Sequence, residues 1–333
     1  MTNNPLIELK GVSKSFAGPS GLAETIATKF RLSAAGSLVH AVDGVDLAIA
    51  PGEAVGLVGE SGCGKSTLGR IVADLEQPST GAVLVHGIDR SHLDEAARRL
   101  ARLPVQMIFQ SAFSSLNPRF TARETVSEAP RVHGLVASEK LEGFVDDCLR
   151  QVGLDPALKG RYPHQLSGGQ IQRLGIARAL AVNPEFVVCD EPVSALDVSI
   201  QAQIINLFIR LRQDKHLGYL FISHDLSVIA HVADRILVMY LGRIIEGAPA
   251  AQLLASPNHP YTQALLAEVP RLANRRRQFA PMKGSVPSAI DRPSGCHFHP
   301  RCPHALDRCR SEAPVLKEIG PGRISACHLN DRA

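Results

Sequence analysis

The chain has 333 residues, 45% of them hydrophobic, and a formal charge of +4. That is enough for one large core plus an appendage, because domains commonly run to ~100–200 residues and single cores stop growing near ~300. The apolar content excludes general disorder, and so small a charge gives no argument for a nucleic-acid partner.

The opening "MTNNPLIELKGVSKSF" has no basic segment followed by an apolar run, so no secretory signal is expected. After Phe16, residues 17–40 form an insertion before the strand-like "AVDGVDLAI" resumes. The next stretch, "EAVGLVGESGCGKSTLGRIVADL", passes from an apolar run over 54–58 to a glycine-rich turn. Helical spacing follows at Leu68, Ile71, Val72 and Leu75, giving strand, loop and helix in succession. Gly59 to Ser66, "GESGCGKS", satisfies G-x-x-x-x-G-K-[ST] in the context that pattern requires. Such a loop turns backbone N–H groups and a helix N-terminus toward a β-phosphate, while Lys65 reaches the β/γ oxygens and Ser66 ligates Mg²⁺. A nucleoside triphosphate site is expected, against the plainer reading of a tight strand-to-helix turn. Cys63 within it is read as a small residue filling the loop, the alternative being a thiol activated by the helix N-terminus.

Further on, Gln110 follows the apolar "MIF", and the segment from Ser111 to Glu128 comes next. "LSGGQIQRLGIARAL" places Ile171, Leu174, Ile176, Ala177 and Leu180 at helical spacing behind a Ser167 cap and two glycines, which makes a second anion cradle. One nucleotide needs one cradle in each chain, so the second points to a nucleotide held by a partner. "EFVVCDEP" reads as a strand ending in Asp190 and Glu191. A parallel sheet puts such acids at its ligand-binding edge, Asp190 for Mg²⁺ and Glu191 to orient and deprotonate water. His224 ends the apolar "FIS", where a lone polar residue is ordinarily just a strand terminus. No apolar stretch reaches the ~20 residues of a membrane span, and the best candidate, "RILVMYLGRII", is interrupted by Arg243.

In this order the motifs "GESGCGKST", "MIFQ", "LSGGQ", "FVVCDE", "SALD" and "FISHD" resemble those of the nucleotide-binding subunits of ABC transporters over about residues 5–250. The implied fold class is α/β: a P-loop NTPase, ABC-type nucleotide-binding domain with a helical subdomain and a small C-terminal cysteine-rich extension. Boundaries of 5–255 for the ATPase domain, about 111–180 for its helical part, and 256–333 for the extension follow. The resemblance implies an ATP hydrolase and translocase. Its nucleotide contacts fall at Gly59, Ser61, Gly62, Cys63, Gly64, Lys65, Ser66 and Thr67, with Phe16 stacking on adenine. Mg²⁺ falls to Ser66, Gln110 and Asp190, and catalysis to Lys65, Gln110, Glu191 and His224. Ser167, Gly168, Gly169 and Gln170, with Asp197 of the "SALD" loop, then face the nucleotide of a second ATPase subunit.

"SLNPRFT", "RYPHQLSGGQIQR", "SPNHPYTQALL" and the tail resemble the second ATPase type of dipeptide and oligopeptide importers, with nickel or another small solute, or a soluble non-transport ATPase, as alternatives. The implied partners are another ABC ATPase, as heterodimer or homodimer, two membrane permease subunits and an extracytoplasmic solute-binding protein. The implied location is the cytoplasmic face of the membrane. Residues 111–128 are expected to receive a permease helix, or else to be ordinary surface.

The last forty or so residues hold four of the seven cysteines: Cys296, Cys302, Cys309 and Cys327. A reducing compartment disfavours disulfides among them. The resemblance links this tail with a [4Fe–4S] cluster, and zinc is the alternative. His297, His299, His304 and His328 are read as loop residues. A tail rich in Pro, Arg and Gly is expected to bury little apolar area of its own. The basic "RLANRRRQF" before it reads as a linker or a contact for lipid headgroups.

Overall fold

A computed structural model describes residues 4–17, 38–268, 284–285 and 287–332. Most of the insertion, 18–37, and the basic segment 271–279 lie outside the described residues.

The first strands, β1 (Ile7–Ala17) and β2 (Leu38–Ile49), pair antiparallel, and Val45, Leu47 and Ile49 alternate inward with the period of a half-buried strand. With β4 (Thr80–Val85) and β5 (Ile88–Asp89) they form a four-stranded sheet ordered β2-β1-β4-β5. Between them come β3 (Ala54–Val58) and α1 (Lys65–Val72). Leu75, expected on this helix, is 53% exposed and lies beyond its end. The chain leaves the helix at Asp74, whose φ is 58° and whose carboxylate is gripped by Arg98 and Arg102.

The chain continues through α2 (Glu95–Ala101) and β6 (Val105–Ile108) into a helical unit. That unit holds α3 (Ala112–Ser115), α4 (Ala122–Val132), α5 (Leu141–Gln151) and α6 (Gly168–Leu180). Thr121 and Glu124 form a capping box at the start of α4, a motif worth about 1 kcal/mol. All five apolar residues expected on the inner face of α6 are buried, packing with Val126, Val145 and Leu149 of α4 and α5.

The main sheet is completed by β7 (Phe186–Asp190), α7 (Val198–Lys215), β8 (Gly218–Ile222), α8 (Leu226–Val232), β9 (Arg235–Tyr240) and β10 (Arg243–Pro249). Every residue of β3, β7 and β8 is buried, which is why these strands read as unbroken apolar runs and sit in the parallel centre. "RILVMYLGRII" is therefore a hairpin of β9 and β10, closed by a two-residue turn with positive φ at Leu241 and Gly242. No helix among the described residues is long and apolar enough to cross a membrane.

Helices α9 (Ala250–Ala255) and α10 (Pro260–Glu268) lead to the tail, which contributes β11 (Lys317–Gly320) and β12 (Arg323–Ser325). These two extend the main sheet to eight strands, ordered β11-β12-β10-β9-β3-β8-β7-β6. The tail thus builds onto the main sheet and shares its core. Phe298 is 2% exposed and packs edge-on against Tyr240 and Tyr261 at 5.4 Å, contrary to the expectation of little buried area. Each such aromatic pair adds about 0.5–1.5 kcal/mol beyond its area.

Candidate nucleotide site

Parallel strands β3, β7 and β8 end at one edge of the sheet, and the loop from Gly59 to Gly64 crosses that edge into α1. Gly64 sits at φ 108° with its α-carbon so close to the Ala41 carbonyl that a Cβ would lie 2.0 Å from that oxygen, so only glycine fits. It precedes α1 with no side-chain cap, which leaves the first amides of the helix for a ligand. Lys65 is 5% exposed, and its Nζ donates to the carbonyls of Gly59 at 2.7 Å and Glu60 at 2.9 Å. Incoming phosphate oxygens can replace those two acceptors without leaving the ammonium unpaired. Ser61, Gly62, Gly64, Lys65, Ser66 and Thr67 line a cleft of about 440 Å³. Cys63 is buried instead, and burial pushes its thiol above the ordinary value, which favours the small-residue reading over an activated thiol.

The opposite wall carries the acids. Ser66 Oγ donates to Asp190 Oδ1 at 2.8 Å, so two oxygens suited to one hard cation already lie together. Burial raises the Asp190 pKa, the Ser66 hydrogen bond opposes it, and the Glu191 charge raises it further. A cation beside Asp190 would reverse that balance. Glu191 has a left-handed φ of 45°, and its amide donates to Ile222 O at 3.0 Å. Its two carboxylate oxygens are held separately: Gln110 Nε2 donates to Oε2 at 2.9 Å, and His224 Nδ1 lies 3.1 Å from Oε1. An unusual backbone conformation of this kind costs roughly 1–3 kcal/mol and persists only where surroundings over-determine it. Gln110, Glu191 and His224, predicted from three separate strand ends, therefore meet in one cleft.

Phe16 pairs with Val39, and Val39 lines that cleft while Phe16 itself does not. Its ring is 38% exposed, with Lys14 Nζ 5.0 Å from the centroid. Ser167, Gly168, Gly169 and Gln170 open α6 on the surface and none lines the cleft. Ser167 and Gln170 close a reciprocal capping box, Ser167 N–H donating to Gln170 Oε1 at 2.9 Å. Asp197 caps α7 without a side-chain bond and is exposed. Phe113, within the 111–128 segment, is 53% exposed.

The four tail cysteines, expected to hold metal, are all free of disulfides, and Cys296 feels the charges of Cys309, Cys327 and Cys302. Among the described residues no group of three or more His, Cys, Asp or Glu side chains is placed to hold a metal ion. Burial pushes the Cys296 thiol up to about 11 and raises Cys302 and Cys327, and in each the charge of neighbouring tail thiols adds to the rise, a balance that a bound cation would reverse. Cys309 Sγ accepts from Leu306 N–H at 3.4 Å. Neither a [4Fe–4S] cluster nor zinc is supported by this arrangement. His328 is engaged by Glu312 O at 3.0 Å and Asp331 at 3.3 Å, in keeping with a loop role.

Sequence reasoning missed Glu60, Tyr261 and Arg301. The Arg301 guanidinium makes two hydrogen bonds to the Glu60 carboxylate, at 2.7 and 2.9 Å, and Tyr261 Oη accepts from Glu60 N–H at 2.9 Å. No local pattern joins residues 241 positions apart.

The family profile described as "ABC transporter" matches residues 42–194, and that described as "Oligopeptide/dipeptide transporter, C-terminal region" matches 245–309. The chain is 47% identical to the oligopeptide transport ATP-binding protein AppF of Bacillus subtilis (strain 168), over 97% of each chain. YkfD of the same organism, also named for oligopeptide transport ATP binding, is 50% identical over 87% of this chain and 90% of its own. Among solved structures, a dimeric ATP-binding cassette in a post-hydrolysis state with ADP and Pi matches with a TM-score of 0.62 at 29% identity. That match covers 73% of this chain and 98% of the other.

Proposed function

The chain belongs to the ABC transporter ATP-binding family, and on that premise we propose that it hydrolyses ATP to power import of di- and oligopeptides through a membrane permease. One observation carries the catalytic half: Lys65, Ser66, Gln110, Glu191 and His224 converge on one cleft, with Asp190 bonded to Ser66. In this reading Lys65 and the loop amides hold the β- and γ-phosphates. Ser66 and Asp190, with Gln110, hold Mg²⁺, which supplies charge neutralisation when bound. Glu191 orients and deprotonates the attacking water, and its grip by Gln110 and His224 is exchanged for that water when nucleotide enters. Phe16 stacks on adenine from the end of β1.

The capping box of α6 lies outside this cleft, which supports a role toward nucleotide held by a second ATPase subunit, of related or identical sequence. The relatives' names and the match over 245–309 support peptide as the cargo. Two permease subunits and an extracytoplasmic solute-binding protein complete the system, with this chain at the cytoplasmic face. Residues 111–128, with Phe113 exposed, offer the surface for a permease helix. Iron, sulfide and zinc analysis of anaerobically purified protein tests the tail for metal, and stoichiometric metal lost in Cys302→Ser is the result that establishes a cluster or zinc site there.

Uptake of a labelled dipeptide by cells that depend on this system tests the cargo. Uptake is expected with the wild-type chain and not with Lys65→Ala. ATP-dependent uptake of a metal ion or another small solute, with none of peptides, would refute peptide import while leaving the ATPase intact.

A further inference from the structure

The tail reaches the phosphate loop at Glu60, and every polar group of that residue's main chain and carboxylate is engaged. Glu60 lies between Gly59 and Ser61 in the loop. Its carboxylate takes both Arg301 hydrogen bonds, its N–H is held by Tyr261, and its carbonyl accepts from Lys65 Nζ at 2.9 Å. The Arg301 side chain is 5% exposed, against 23% for that of Glu60. Tyr240 adds its hydroxyl at 3.4 Å, with its ring 6.0 Å from the guanidinium carbon.

The tail touches the cleft at a second point as well. Ala289 lines it, and the Ala289 carbonyl accepts from His40 N–H of β2 at 3.2 Å. Nearby, Arg292 and Arg243 share the Asp43 carboxylate at 2.6 and 2.7 Å.

A carboxylate in an anion-binding loop works against the loop's purpose, because like charges a few ångströms apart repel most strongly where water is scarce. A fork-on-fork arginine pair neutralises that charge and fixes its direction at once. A buried ion pair is by itself weak evidence for stability, so packing alone does not account for one placed here. We propose that Arg301 of the C-terminal extension is a positioning residue for the nucleotide loop. By neutralising Glu60 and fixing its direction, Arg301 keeps Lys65 and the loop amides available to phosphate, so the tail sets the affinity for ATP.

This inference rests on reading the cleft as an ATP site, and the experiment separates the two. MgATP affinity is measured by calorimetry on the full-length chain for wild type, Lys65→Ala, Arg301→Ala, Arg301→Lys and the double variant Arg301→Ala/Glu60→Gln. Melting is measured without nucleotide alongside. Arg301→Ala is expected to weaken binding about tenfold, within the range of coupled charged pairs. Arg301→Lys is expected to recover part of that loss. Removing the stranded charge in the double variant is expected to restore affinity to within about threefold of wild type, even if its melting temperature stays low. Unchanged affinity in Arg301→Ala, or a double variant no tighter than Arg301→Ala, overturns the positioning role. Absent binding by wild type, or full affinity in Lys65→Ala, overturns the ATP site itself and this inference with it.

Discussion

Two helices begin with glycine-rich turns, and their N-termini are finished in opposite ways. At α1 the residue before the helix is Gly64, no side chain caps the amides, and Lys65 is buried beside them. At α6 the Gln170 N–H is met by Ser167 Oγ and the Ser167 N–H by Gln170 Oε1, on the exterior. An uncapped terminus inside a cleft waits for a ligand in its own chain, while a self-capped terminus on the surface is stable alone and engages a ligand only when one is brought to it. On the proposed function, affinity is expected to reside with the first and turnover to need both.

The largest effect that sharpens this contrast is at Glu191. Glu191→Gln is expected to lower ATP turnover by about 10²–10⁴-fold, the usual contribution of a positioned general base, while leaving nucleotide binding nearly intact. Phosphate-release kinetics on the transporter-assembled chain check it, and loss of binding in step with turnover would break the assignment. Next comes Lys65→Ala, expected to weaken MgATP binding by roughly 100-fold, since charge-assisted hydrogen bonds are each worth about 1.5–3 kcal/mol. Equilibrium titration reads this directly, and an effect smaller than threefold would mean that α1 does not hold the phosphates.

A smaller effect concerns the tail. Burial lowers the His259 pKa from 6.5 to about 4, with a hydrogen bond to the Ala326 backbone opposing it. The folded imidazole stays neutral, with Nδ1 accepting from Tyr261 N–H at 3.0 Å. Between about pH 6.5 and 4 the unfolded chain binds a proton that the folded chain does not, so stability falls as pH falls through that window. The slope from this group is at most about 1.4 kcal/mol per pH unit. Melting temperatures from pH 7 to 5 are expected to fall less steeply in His259→Gln, and identical slopes would show that the tail joint does not contribute.

The same contrast explains what could be read in the sequence. The phosphate loop, β3, α1 and β7 were legible because each combines a local period with a motif whose residues act within a few positions of one another. From the residues alone Gln110, Glu191 and His224 were legible only as separate strand ends, since strand order is a long-range property; the family resemblance is what grouped them. The capping box at Ser167 was half visible: the Ser167 cap was read from the sequence, but the reciprocal bond from Gln170 was not. Leu75 misled because helical spacing continued in sequence past the point where Asp74 turns the chain. The tail was least legible. Its cysteines drew attention, whereas its attachment runs through Phe298, Arg301 and the pairing of β12 with β10, none of which has a local signature.

The most direct test of the division between the two helix ends is Gly168→Asp, with MgATP affinity and turnover measured in one preparation. A Cβ at Gly168 meets nothing nearer than Leu196 Cδ2 at 3.8 Å, and an acid in the first turn suits the helix dipole, so the variant is expected to fold. Affinity within about twofold of wild type and turnover reduced at least tenfold are expected, because the new charge repels only a phosphate presented from outside. Equal losses of affinity and turnover, or an unchanged turnover, would contradict this division.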